Sequence, residues 1–165
     1  MNTISDEIKS GAITAFIDLN NKSNLAYKPV LLANDQKAGT KVLTSIEKEL
    51  KSCKSFIFSV AFITMGGIEP LLQVLKEIEE KGIPGKILTT DYNTFTDPKA
   101  LDKLGSFTNI DLRIYSVDEN AGFHTKGYIF QKNEVYTFIL GSSNMTATAL
   151  SVNKEWNTQF VSTEN

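Results

Sequence analysis

Ser55-Phe56-Ile57-Phe58-Ser59-Val60-Ala61-Phe62-Ile63 is the stretch on which the fold turns. It is short, almost unbroken in its apolar character, and rich in aromatic and β-branched residues. That composition fits a central strand covered on both faces. Upstream, residues 40–51 place Val42, Leu43, Ile46 and Leu50 at helical intervals with lysines between them, which predicts an amphipathic helix. Downstream, Gly66-Gly67 separates the strand from residues 68–80. There Ile68, Leu71, Leu72, Leu75 and Ile78 form a second helical stripe, stopped by Gly82 and Pro84.

The alternation continues outward. Residues 86–90 read as a strand, Asp97-Pro98 as an N-cap followed by a first-turn proline, and residues 99–104 as a short helix ended by Gly105. Residues 111–116, 122–131, 135–140 and 155–161 read as strands, with a hairpin turn at Lys132-Asn133. Residues 29–32 begin an extended stretch, and residues 1–26 read as a short helix followed by a loop. Helices between the early strands and hairpins later imply an α/β fold, a mixed β-sheet sandwiched between helices. Residues 1–27 are taken as an N-terminal helix and loop segment, and 28–165 as the domain proper.

The chain has 165 residues, 41% hydrophobic and 22% charged, with ten phenylalanines, and it suits one domain with a core of ordinary size. No stretch approaches the roughly 20 apolar residues that span a bilayer, and Met1 to Ser10 is polar, so a cytoplasmic location is expected. Cys53 stands alone, which excludes an intramolecular disulfide framework and a multi-cysteine zinc site. It reads as a half-buried thiol. Net charge is −2 and Arg113 is the only arginine, so readout of bases by arginine forks is largely closed to this chain. The lysine-rich helix at 40–51, extended by Lys54, is either a DNA-facing surface or an ordinary solvated face.

Chemistry gathers in the second half. His124, the only histidine, lies on a predicted strand two residues before Lys126, so a period of two places both side chains on one face, able to meet one anion. Taken alone, such a histidine is more often a satisfied structural residue. Gly141-Ser142-Ser143-Asn144 then forms a small polar turn at a strand end, where donors can approach an oxyanion. The plain alternative is a loop before a helix capped by Asn144 or Thr146. Glu155 follows on the next predicted strand, just before Trp156. A glutamate on an apolar strand needs a partner, and a catalytic histidine needs an acceptor, so each could satisfy the other. Asp91, Asp97, Asp118 and Glu119 fall on predicted loops and read as solvated.

His124-Thr125-Lys126, Gly141-Ser142-Ser143-Asn144 and Glu155, in that order, resemble the single-motif, nuclease-like branch of the phospholipase D superfamily. The form with a later glutamate is similar to that of phospholipase D-type restriction endonucleases and of the N-terminal domains of some bacterial helicase-like proteins. The resemblance covers roughly residues 28–162. One position departs: many members carry an aspartate five residues after the motif lysine, where this chain has Gln131, and Glu155 is taken as its functional substitute.

The resemblance implies metal-independent phosphodiester hydrolysis with no cofactor, through a covalent phosphohistidine. His124 would be the nucleophile, Lys126 and Asn144 would hold the non-bridging oxygens, Glu155 would orient the histidine, and Gly141, Ser142 and Ser143 would contact the phosphate. Pre-placed donors can stabilise the charge that builds on phosphoryl oxygens, and the motif lacks the carboxylate cluster that divalent metals require. One histidine cannot stand on both sides of the phosphorus, so a homodimer sharing the site is expected. DNA is the expected substrate. Two alternatives stand beside this: a weak or inactive DNA- or phosphate-binding module covalently linked to helicase or restriction domains, and a phospholipid-acting hydrolase. No stretch suggests a membrane surface. The end of the chain directly after a strand fits a piece of a longer protein.

Overall fold

The computed structural model describes residues 2–92, 95–117 and 122–163. Seven strands form one sheet: β1 (Val30–Leu32), β2 (Ser55–Val60), β3 (Gly85–Thr90), β4 (Ile110–Tyr115), β5 (Lys126–Lys132), β6 (Val135–Gly141) and β7 (Asn157–Thr163). Their order across the sheet is β1-β7-β6-β5-β2-β3-β4. β2, β3 and β4 run parallel, whereas β2 with β5, β5 with β6, β6 with β7 and β7 with β1 are antiparallel. The sheet is therefore mixed, as the interleaving of early helices and later hairpins predicted. Parallel neighbours need a crossover, and helices supply it; antiparallel neighbours need only a turn, here at Asn133-Glu134.

The helices are α1 (Ile4–Phe16), α2 (Val42–Ser52), α3 (Met65–Ile68), α4 (Leu72–Glu80), α5 (Pro98–Gly105) and α6 (Ala147–Ser151). The stripe at 68–80 is broken rather than continuous, because Pro70 cannot donate to a helical ladder. A 3-10 turn at Glu69–Leu71 takes up the break between α3 and α4. Asp97 caps α5 as expected, its side chain accepting from Lys99 N at 2.9 Å. Thr146, not Asn144, caps α6.

Val42, Ile46 and Leu50 of α2, Leu75 and Ile78 of α4 and Leu104 of α5 bury themselves against Phe56, Phe58, Val60, Ile87, Tyr128, Phe130 and Ile139 of the sheet. The Phe58 ring lies 4.8 Å from Phe56, 5.1 Å from Tyr128 and 5.6 Å from Phe130, each pair tilted or edge-on. Such pairs add about 0.5–1.5 kcal/mol each beyond the area they bury. Full cover of β2 holds on this face only. On the other, Ile57 is 41% exposed and heads a cross-strand row through Ile129 and Phe138 to Phe160, the last two rings stacked at 5.0 Å. α1 lies against β7. At the sheet's two ends stand β1, three residues long, and β4, whose exposed Asp111 and Arg113 pair at 2.8 Å.

Among the described residues no helix is long and apolar enough to cross a membrane. Asp118 and Glu119, read as solvated loop residues, lie outside the described residues. α2 begins near the site edge and ends at the opposite one, where Lys54 N donates to Gln131 O at 2.7 Å. Lys48 and Lys51 sit toward that far end, Lys51 paired with Glu47 at 2.6 Å on a solvated face, whereas Lys41 stands at the helix start.

Candidate active site

Strand register assembles the site. Val60, at the end of β2, pairs with Lys126 at the start of β5; Gly127 pairs with Leu140, and Gly141 with Asn157. The start of β5, the end of β6 and the start of β7 thus share one edge of the sheet. His124, Lys126, the 141–144 turn and Glu155 meet there, although they are scattered along the chain.

His124 and Glu155 are not on the strands themselves. β5 starts at Lys126 and β7 at Asn157, so both residues stand in extended loops just ahead of their strands. The residue between the pair is what holds them: Thr125 O accepts from Ala61 N at 2.9 Å, and its hydroxyl meets Ser59 Oγ at 2.7 Å. His124 is exposed, with its imidazole edge-on to the Tyr92 ring at 5.4 Å. Lys126 Nζ donates to the backbone carbonyl of His124 at 2.7 Å, which folds the ammonium back toward the loop that carries His124.

The 141–144 turn is stitched to its surroundings. Phe62 N donates to Asn144 Oδ1 at 3.2 Å, committing the oxygen and leaving the Nδ2 protons for another acceptor. Met145 N donates to Phe62 O and Thr64 N to Met145 O, both at 3.0 Å, which splices the turn onto the end of β2. Gly141 is required for a reason other than room for an oxyanion. A Cβ there would lie 2.6 Å from Asn157 Cα and would also collide with Trp156 O, so β6 and β7 could not close.

Ser142 is exposed, donates to Glu155 Oε2 through a very short bond, and accepts from Trp156 N at 3.1 Å. Among the described residues Glu155 is bonded to this serine and not to the His124 imidazole. Ser143 corrects a second expectation. It is fully buried, its Oγ accepting from Asn157 Nδ2 at 2.9 Å and its carbonyl accepting from Tyr128 OH at 3.0 Å. Its hydroxyl faces the interior, so Ser143 holds the turn's shape and does not reach a phosphate. Burial, and after it the Glu155 charge, push the Tyr128 phenol far up, so it stays a donor. Asn157 and Tyr128 were missed in the sequence because buried polar residues on strands read there simply as strand.

Gln131 sits at the other end of β5, about 17 Å from Lys126 at 3.3 Å per residue, with its Oε1 accepting from Ser55 Oγ at 2.8 Å. A carboxylate at that position could not touch His124. No substitute for it is therefore needed, and Glu155 stands on its own contacts.

Residues 46–164 match the family model described as cardiolipin synthase, PLD-like domain. The chain belongs to this family. Its fold resembles that of NucT from Helicobacter pylori, with a TM-score of 0.62 and 17% identity over 81% of this chain and 84% of that one. It also resembles Nuc, a phospholipase D family member from Salmonella typhimurium, at 0.56 and 20% identity over 80% and 82%. Yeast tyrosyl-DNA phosphodiesterase is similar at 0.51 and 14% identity, over 79% of this chain and 32% of that chain. No curated protein matches the sequence. In this PLD-like domain the His-x-Lys strand start and the Gly-Ser-Ser-Asn turn thus occupy one edge of a family-typical sheet.

Proposed function

We propose that this PLD-like domain is a metal-independent phosphodiesterase that cleaves DNA through a phosphohistidine, with the site shared between two copies. The observation that carries the reading is the convergence of His124, Lys126, Ser142 and Asn144 at one sheet edge. A nucleophile, a cation and the Asn144 Nδ2 donor around one exposed point suit a tetrahedral anion. The name of the similar yeast tyrosyl-DNA phosphodiesterase favours a nucleic-acid diester.

In the first step an imidazole nitrogen of His124 forms a bond to phosphorus as the bond to the leaving oxygen breaks. The imidazolium of His124 of the partner subunit protonates that oxygen. Water then attacks phosphorus from the vacated side, gives its proton back to the partner's His124, and frees the nucleophile. Lys126 and Asn144 hold the non-bridging oxygens throughout. Glu155, accepting the Ser142 hydroxyl proton, ties the loop ahead of β7 to the 141–144 turn and so holds the shape of the turn that carries Asn144.

Hydrolysis of bis(p-nitrophenyl) phosphate in EDTA, with acid-quench trapping of a phosphorylated histidine, tests this directly. Wild type should turn over and trap label, His124→Ala should do neither, and Lys126→Ala should lose about 10²–10³ in rate. A strict magnesium requirement would sink the mechanism. Turnover of phosphatidyl substrates with DNA untouched would move the reading to the phospholipid class, and anion binding without label would move it to a binding module.

A further inference from the structure

Aromatic side chains stand in the open along the edge that carries His124. Trp156, the only tryptophan, is 75% exposed. Its backbone is nevertheless fixed: its N–H donates to Ser142 Oγ, its carbonyl accepts from Ser142 N at 3.1 Å, and Asn157 beyond it is buried. The backbone of Trp156 is thus fixed against the 141–144 turn while its ring meets solvent.

The other flank is built alike. Tyr92 meets the His124 imidazole, Phe95 is 61% exposed against Phe62 at 5.1 Å, and Phe123 stacks on Tyr115 at 5.6 Å. By register Trp156, ahead of β7, and Tyr92, after β3, lie two strands to either side of β5, about 10 Å each way.

Rings on both sides of a phosphate-binding point match a strand whose bases are free to stack. Every unpaired base offers a π-face, whereas duplex bases already cover one another. Charge points the same way. A chain of net charge −2 with a single arginine offers little neutralisation to a long duplex, so affinity must come from bases. In sequence Trp156 is flanked by Asn153, Lys154, Glu155 and Thr158, polar neighbours suited to a nucleic-acid strand, while the exposed Leu31, Leu140 and Val152 nearby make anionic vesicles the necessary control.

We propose that Trp156 is a stacking platform for an unpaired base next to the phosphodiester at His124, so that the site takes single-stranded rather than duplex nucleic acid. This rests on the phosphodiesterase reading above.

The His124→Ala chain serves for binding. Labelled oligo(dT), an abasic deoxyribose-phosphate strand of equal length and a blunt duplex are compared by anisotropy, while Trp156 emission is followed in parallel and also with anionic phospholipid vesicles. Oligo(dT) should quench the emission and bind about tenfold more tightly than the abasic strand or the duplex. That ratio should fall to near one when Trp156→Ala is added and survive in large part with Trp156→Phe. Equal affinity for oligo(dT) and the abasic strand, tighter binding of duplex, or emission that responds to vesicles alone would each overturn the inference. Wild-type turnover of bis(p-nitrophenyl) phosphate judges the phosphodiesterase reading separately. Turnover without base-dependent quenching removes the platform alone, and base-dependent quenching without turnover removes the enzyme alone.

Discussion

Ser142 and Glu155 illustrate how a short polar motif divides its work. Had Glu155 faced His124, it would set the imidazole's tautomer. Bonded to Ser142, it takes that hydroxyl's proton and ties its own loop to the 141–144 turn instead, and His124 is held by Tyr92 and by the anchored Thr125. Cys53 shows a different constraint. It is buried, its thiol donates to Leu50 O at 3.3 Å, and burial pushes it up from 9.0 to about 11. The unfolded chain therefore releases this proton at lower pH than the folded one does. The stabilising difference is fully present below pH 9 and is lost as pH rises toward 11. Urea midpoints of wild type and Cys53→Ala should accordingly draw together between pH 8 and pH 10.5. A gap that stays constant would mean the thiol does not titrate with folding.

Among the elements, the junction of β6 and β7 bears most directly on the site. Gly141→Ala should force Asn157 and Trp156 away from the turn, at a cost of about 1–3 kcal/mol. Thermal stability and turnover of bis(p-nitrophenyl) phosphate should fall together; a variant with wild-type Tm and lost turnover would show that the strands tolerate the methyl. β2 was legible because its apolar run and flanking glycines leave few other readings, and α2, α4 and α5 because their apolar positions recur at helical spacing. What escaped notice arises from pairing. That β5 begins at Lys126, that Ser143 points inward, and that Gln131 stands at the far edge all follow from register, which depends on partners remote in the chain. The motif residues could be named from their order alone, but their partners could not.

For the molecule as a whole, the site has one imidazole where in-line displacement needs an acid opposite the nucleophile. Mixing wild-type with His124→Ala subunits, after exchange, gives a quantitative check on sharing. At fixed total protein, activity should fall as the square of the wild-type fraction; a linear fall would mean that each chain works alone. The ends of the sheet bear on how two copies could meet. An incoming strand would find three residues at β1, and at β4 a closed ion pair between Asp111 and Arg113. Neither end offers a long, uncharged ladder to extend. Copies of this chain are thereby steered away from merging their sheets into one continuous ribbon. Any association of copies is left to faces and loops.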